Sequence, residues 1–148
     1  MTGAMEWISN FLYAAMLAGV PLLYGTLGEI LTEKAGNVNL GVEGMMYMGA
    51  VFGFMGAYYL DSAAAALLFA FLGGLGGALV YAFLTVTLKA NQNVAGLTLT
   101  IFGTGLANLL GTNMVNASGS GAAMVSDSIK AIFRPLDMGA LTALPYAG

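Results

Sequence analysis

Glu29, Glu33 and Glu43 stand out among the seven carboxylates of this chain. They fall with Lys34, Asn37 and Asn39 in one short window between two long apolar runs. Charged and amide groups are costly in apolar surroundings, and there they mark a membrane surface or a path for ions, protons or solutes. Glu29 and Glu33 are one helical turn apart and repel slightly on one face. Glu29 is the deeper of the two. It sits near the headgroups, or it faces a water-filled path or a partner across an interface. Glu43 follows the Asn-rich break, where a carboxylate suits the exposed N–H groups of a helix start better than it suits solute contact. Asn37 and Asn39, flanked by Gly36 and Gly41, form either an ordinary loop or a helix break inside the membrane. Broken segments of the second kind bind substrates in transporters.

A second polar pattern lies further along. Gly96, Thr100, Thr104, Asn108 and Thr112 recur at every fourth residue, so a helix carries them as one stripe on an otherwise apolar surface. Hydroxyl and amide groups in a stripe line a route for an uncharged solute, or they join helices by hydrogen bonds of about 0.6–2 kcal/mol each. Asn37, Asn39, Thr100, Thr104 and Asn108 are therefore the candidate substrate-pathway residues. Glu29, Glu33 and Glu43 form a polar cluster at a membrane end.

The composition excludes much else. With no Cys and no His, thiol chemistry, disulfides, imidazole catalysis and the usual zinc and copper sites are absent. No catalytic residue, metal site or cofactor is expected. Only four Lys and Arg occur, without a basic patch, so nucleic acid is not a partner. The chain is 59% hydrophobic and 7% charged, with mean hydropathy +0.84, whereas a soluble domain carries about a quarter charged residues. The start of the chain lacks the positive flank of a signal peptide and leads into a retained span.

The elements that must position these groups are membrane helices. Four spans are expected, over residues 8–31, 40–60, 63–88 and 94–111, each near the length that crosses a ~30 Å core at ~1.5 Å per residue. Pro21 lies inside the first and favours a kink. Gly49, Gly53 and Gly56 share a face of the second span, and Gly73 and Gly77 form a GxxxG pair in the third; both permit close helix packing. Residues 112–148 read as a polar extracytoplasmic loop or tail, with a short surface helix around 126–133. The fold class is all-α, a polytopic membrane bundle. Lys34 and Lys89 lie in the first and third breaks, which places both inside and the N-terminus outside.

The order of residues adds a resemblance. Ala35-Gly36-Asn37-Val38-Asn39-Leu40-Gly41-Val42-Glu43-Gly44-Met45-Met46 and the later stretch from Lys89-Ala90-Asn91-Gln92-Asn93 through Ile101-Phe102-Gly103-Thr104-Gly105 keep their order and spacing. Together they resemble permease subunits of bacterial ABC importers for nucleosides and simple sugars, relatives of the ribose and branched-chain amino-acid permeases. The resemblance implies a multi-pass transport subunit of the bacterial cytoplasmic (inner) membrane that is not itself an enzyme. It implies as partners a cytoplasmic ABC ATPase, a second permease subunit or half, an extracytoplasmic solute-binding protein and membrane lipid. The second half of such permeases, with its G-E-N-P-type coupling loop, has no counterpart here, so the chain is expected to be an N-terminal half. The phosphate-binding G-x-x-x-x-G-K-[ST] pattern is also missing. Two rival readings are a small proton-coupled multidrug-type transporter and a permease fragment that does not transport.

Overall fold

The computed structural model describes residues 2–119 and 121–134. The rest of the expected polar tail lies outside the described residues. In chain order the elements are α1 (Thr2–Lys34), α2 (Val42–Leu60), α3 (Ala63–Ala82), a π-helical turn (Phe83–Thr87), α4 (Gln92–Ala117) and α5 (Asp127–Ile132). The described residues contain no strand and are all-helical in class. An apolar run that must satisfy its own backbone hydrogen bonds in lipid has the helix as its local solution.

Among the described residues three helical stretches are long and apolar enough to cross a membrane: Met5–Lys34, Ala63–Thr87 and Gln92–Ala117. Helix α2 has 19 residues, carries Glu43 and three Tyr, and is not one of the three. It is also the helix around which α3 and α4 pack, with Met48, Val51 and Ala57 buried.

Several boundaries depart from the expected ones. Pro21 is accommodated inside one continuous α1 of 33 residues. Helix α4 continues past residue 111 to Ala117, across a stretch expected to be loop, and Met114 in that extension is buried. Polarity at a helix end places it at a membrane surface without breaking the helix. Helix α5 falls within the expected short surface helix, and Lys130 pairs there with Asp127 at 3.0 Å.

The junctions follow known capping chemistry. Asp61 ends α2 in the left-handed conformation (φ 44°), which Asp tolerates better than most residues. The Ser62 hydroxyl accepts from the Ala65 N–H at the start of α3, and Asn91 Oδ1 accepts from the N–H groups of Asn93 and Val94 at the start of α4.

Glycines bring the helices together. Gly49, Gly53 and Gly56 of α2 face the backbone of residues 65–70 of α3. A methyl group on Gly73 would stand 2.9 Å from the Met48 carbonyl oxygen, and one on Gly77 would stand 3.0 Å from Met45 Cγ. On the other side of α2, Gly44 lies directly against Leu99 and Thr100 of α4, and Gly103 lies against Gly44. Tyr81, Ala95 and Leu99 form a buried cluster with Met45 and Leu84 packed on it.

Helix α1 stands apart from this three-helix unit. It meets α2 at Gly25, where a methyl group would lie 3.0 Å from Met46 Sδ. Its large apolar side chains are exposed all around, from the stacked pair Trp7 and Phe11 to Leu31.

Candidate functional site

Residues 36–41 join α1 to α2 as a non-helical strap laid over the end of the bundle. Gly36 turns the chain with φ 86°, a region costly for other residues. Beyond it the strap is pinned by side chains from three helices. Glu29 Oε1, from α1, accepts from the Asn39 N–H at 2.7 Å. The Tyr81 hydroxyl, from α3, donates to the Val38 carbonyl at 2.6 Å. Gln92, the first residue of α4, accepts from the Val38 N–H at 2.8 Å and donates to Asn37 Oδ1 at 3.0 Å. The Thr100 hydroxyl, further along α4, donates to the Leu40 carbonyl at 2.9 Å.

The strap also closes on itself. Asn39 is buried and its Oδ1 accepts from the Gly41 N–H at 2.9 Å, a local turn that short amide side chains favour. Gly41 then occupies the N-cap position of α2 without a side-chain cap. Gly96 makes the close seating possible, because a methyl group there would come within 2.8 Å of the Leu40 nitrogen and 2.9 Å of the Gly41 nitrogen. A buried peptide group without a partner costs about 2–7 kcal/mol depending on its surroundings. Asn39 and Gly41 are the strap residues to which that cost applies, and both of their N–H groups are paired.

The sequence candidates divide accordingly. Asn37, Asn39, Glu29 and Thr100 come together in one hydrogen-bonded cluster. Thr104 bonds back to the Thr100 carbonyl in its own helix at 2.7 Å. Asn108 and Thr112 are exposed on the far half of α4, so the stripe splits into a half that grips the strap and a half that faces outward. Glu33 and Lys34 are exposed on the last turn of α1. Glu43 is exposed in the first turn of α2, where the helix dipole favours a carboxylate.

Tyr81 and Gln92 are central to the cluster and are not among the candidates drawn from sequence. One available signal was a Tyr within an apolar span, since a buried phenol needs a hydrogen-bond partner. Gln92 lies in the second motif, but nothing local tells that its amide reaches across to residues 36–38. The Gly44, Gly96 and Gly103 contacts were equally hidden, because each depends on which helix lies opposite.

Beside the strap a cavity of about 740 Å³ opens between α1 and α2. Its floor is apolar, with Pro21, Met46 and Ala50, while Thr26, Glu29, Glu43 and Tyr47 bring polar atoms to it. Glu29 Oε2 is buried and has no hydrogen-bond partner.

A model of the family described as branched-chain amino acid transport system / permease component matches residues 9–136. A Haloferax volcanii protein named for a glucose ABC transporter permease, TsgC13, is 39% identical over 122 residues, covering 79% of this chain and 36% of its own length. A Bacillus subtilis protein named guanosine ABC transporter permease NupQ is 30% identical over 107 residues, covering 68% of this chain and 34% of its own. The chain spans about a third of the length of the curated relatives it matches. No solved structure gives a significant match.

Proposed function

The chain belongs to the family of branched-chain amino acid transport system / permease components, and on that premise we propose that it forms part of the membrane pathway of an ABC importer for an uncharged, hydroxylated solute, a sugar or a nucleoside. The single observation that carries this reading is the family match across residues 9–136. The names of the two relatives, one for glucose and one for guanosine, support the solute class. The strap agrees with it, since irregular backbone next to lipid needs protein partners or a cavity beside it, and here side chains of α1 and α3 bond the strap beside a cavity.

In this reading α2 crosses the membrane with α1, α3 and α4, and the strap end, with Lys34 and Lys89, faces the cytoplasm. Thr104 and Asn108 line the outward half of the route. The ATPase, the further permease helices and the solute-binding protein are separate partners, and this chain performs no chemistry on the solute. Neither the strap nor the stripe carries a charge that would select an ion along α4.

A chimera tests the proposal. This chain replaces the aligned region of the Bacillus subtilis guanosine permease, and ATP-dependent guanosine uptake is measured in cells lacking the native permease. Uptake above that of the deletion strain is expected. Full membrane insertion of the chimera with uptake no higher than the deletion strain refutes the reading.

A further inference from the structure

We propose that the cavity between α1 and α2 is a binding site for a vicinal diol, with Glu43 as the hydroxyl acceptor. The inference rests on the permease reading above and deepens it, because it moves solute recognition from the α4 stripe to the α1–α2 cavity.

Four observations point there. The volume, about 740 Å³, lies in the range of about 300–1,000 Å³ usual for small-molecule sites. Two carboxylates border it, and none of the Lys or Arg residues does. Glu29 is committed to the strap, one oxygen accepting from the Asn39 N–H and the second closed off from solvent, which leaves Glu43 as the carboxylate open to a ligand. Glu43 is exposed on the opposing helix, and its carboxylate is free of the N-cap position, which Gly41 takes.

The chemistry of the walls selects the ligand. A carboxylate accepts two neighbouring hydroxyls at once, in bonds about twice as strong as neutral ones. Met46, Pro21 and the ring of Tyr47 offer apolar surface to the C–H face of a sugar ring. Anionic solutes are repelled by the two carboxylates. Two carboxylates fall short of the ligand set of a hard metal ion, and no group of three His, Cys, Asp or Glu that could hold one occurs among the described residues. A diol arrives either as a free hexose or as the ribose of a nucleoside, and both present the same pair of hydroxyls.

By contrast, the α4 stripe has few free groups near the strap. The hydroxyls of Thr100 and Thr104 already donate to backbone carbonyls.

The test uses the full chain in lipid nanodiscs and isothermal titration with three probes: glucose, guanosine and 2′,3′-dideoxyguanosine, which keeps the base and lacks the diol. Binding of glucose or of guanosine, with dideoxyguanosine at least about tenfold weaker, is expected, the size of one lost charge-assisted hydrogen bond. Preference between glucose and guanosine identifies the source of the diol. Glu43→Gln should weaken binding about tenfold or more. Ala50→Phe, which fills the floor from an exposed α2 position, should abolish binding while leaving the helical signal unchanged. Failure of both diols to bind, equal binding of dideoxyguanosine, or full affinity in Glu43→Gln and Ala50→Phe overturns the inference. A chimera that transports guanosine while its cavity variants bind and transport like wild type sinks this site and leaves the permease reading standing. A chimera that does not transport sinks the permease reading.

Discussion

Gly103→Ala is the sharpest perturbation the fold offers. A methyl group at this position would lie 2.7 Å from the carbonyl carbon and 2.8 Å from the Cα of Gly44. Carbon atoms sit comfortably at about 3.5–4.0 Å, so α2 and α4 must part locally by about 0.7–1 Å. The obstructing atoms are backbone, with no flexible side chain able to swing away. Overpacking of this kind costs about 1–3 kcal/mol, and the rigid surroundings favour the upper end. Replacing Gly by Ala inside a helix returns about 1 kcal/mol of propensity, leaving a net loss of about 2 kcal/mol. Gly105, two residues on, supplies the control, because a methyl group there meets nothing within 4 Å. Gly105→Ala should gain up to about 1 kcal/mol from the same propensity term. The two alanine variants should thus differ by about 3 kcal/mol. Equilibrium unfolding in mixed detergent micelles, followed by far-UV circular dichroism, measures the difference. Equal stability of the two variants, or a Gly103→Ala protein as stable as the parent, would refute the claim that backbone contact between α2 and α4 sets their spacing.

The remaining expectations concern the strap and the route. Gln92→Leu removes the acceptor for the Val38 N–H and the donor for Asn37 Oδ1; hydrogen exchange at residues 36–41 should accelerate while the helix centres keep their protection. Tyr81→Phe removes the hydroxyl on the Val38 carbonyl and should destabilise the chain by about 0.5–1.5 kcal/mol, or about 1–3 if the carbonyl stays buried and unpaired, as read by the same unfolding assay. Cysteines placed at Lys34 and Lys89 in this Cys-free chain should label from one side of a vesicle and one at Ser118 from the other; labelling of Ser118 and Lys89 from the same side would rule out the layout. Thr104→Val and Asn108→Leu in the chimera should lower guanosine uptake without impairing insertion, since both changes make insertion easier, and normal uptake in both would reassign the stripe to helix packing.

What the sequence determines by itself is the class of element and the kind of surrounding. Long apolar runs and scarce charge dictate membrane helices, because lipid leaves the backbone no other partner than itself. The ends marked by Asp61-Ser62 and by Asn91 are also legible, since capping is a matter of neighbours within three residues. The two motifs were visible as polar islands, and the glycine rows of α2 and α3 could be read as packing faces from their spacing. Partners far along the chain were not legible. That Gly44 faces Gly103, that Gly96 sits under the Leu40 and Gly41 nitrogens, and that Gln92 reaches the residues before Asn39 are facts of how α2, α3 and α4 cross. Periodicity states which face a residue occupies and is silent on what stands opposite. For the same reason Thr100 and Thr104 shared one stripe in the sequence, yet in the fold one hydroxyl reaches the strap and the other bonds its own helix. The cavity beside Glu29 and Glu43 is likewise a product of two helices diverging from one contact at Gly25 and Met46. A hollow is defined by surfaces distant in sequence, so only the tertiary arrangement makes one of two membrane-end carboxylates a clamp on the strap and the other a free acceptor.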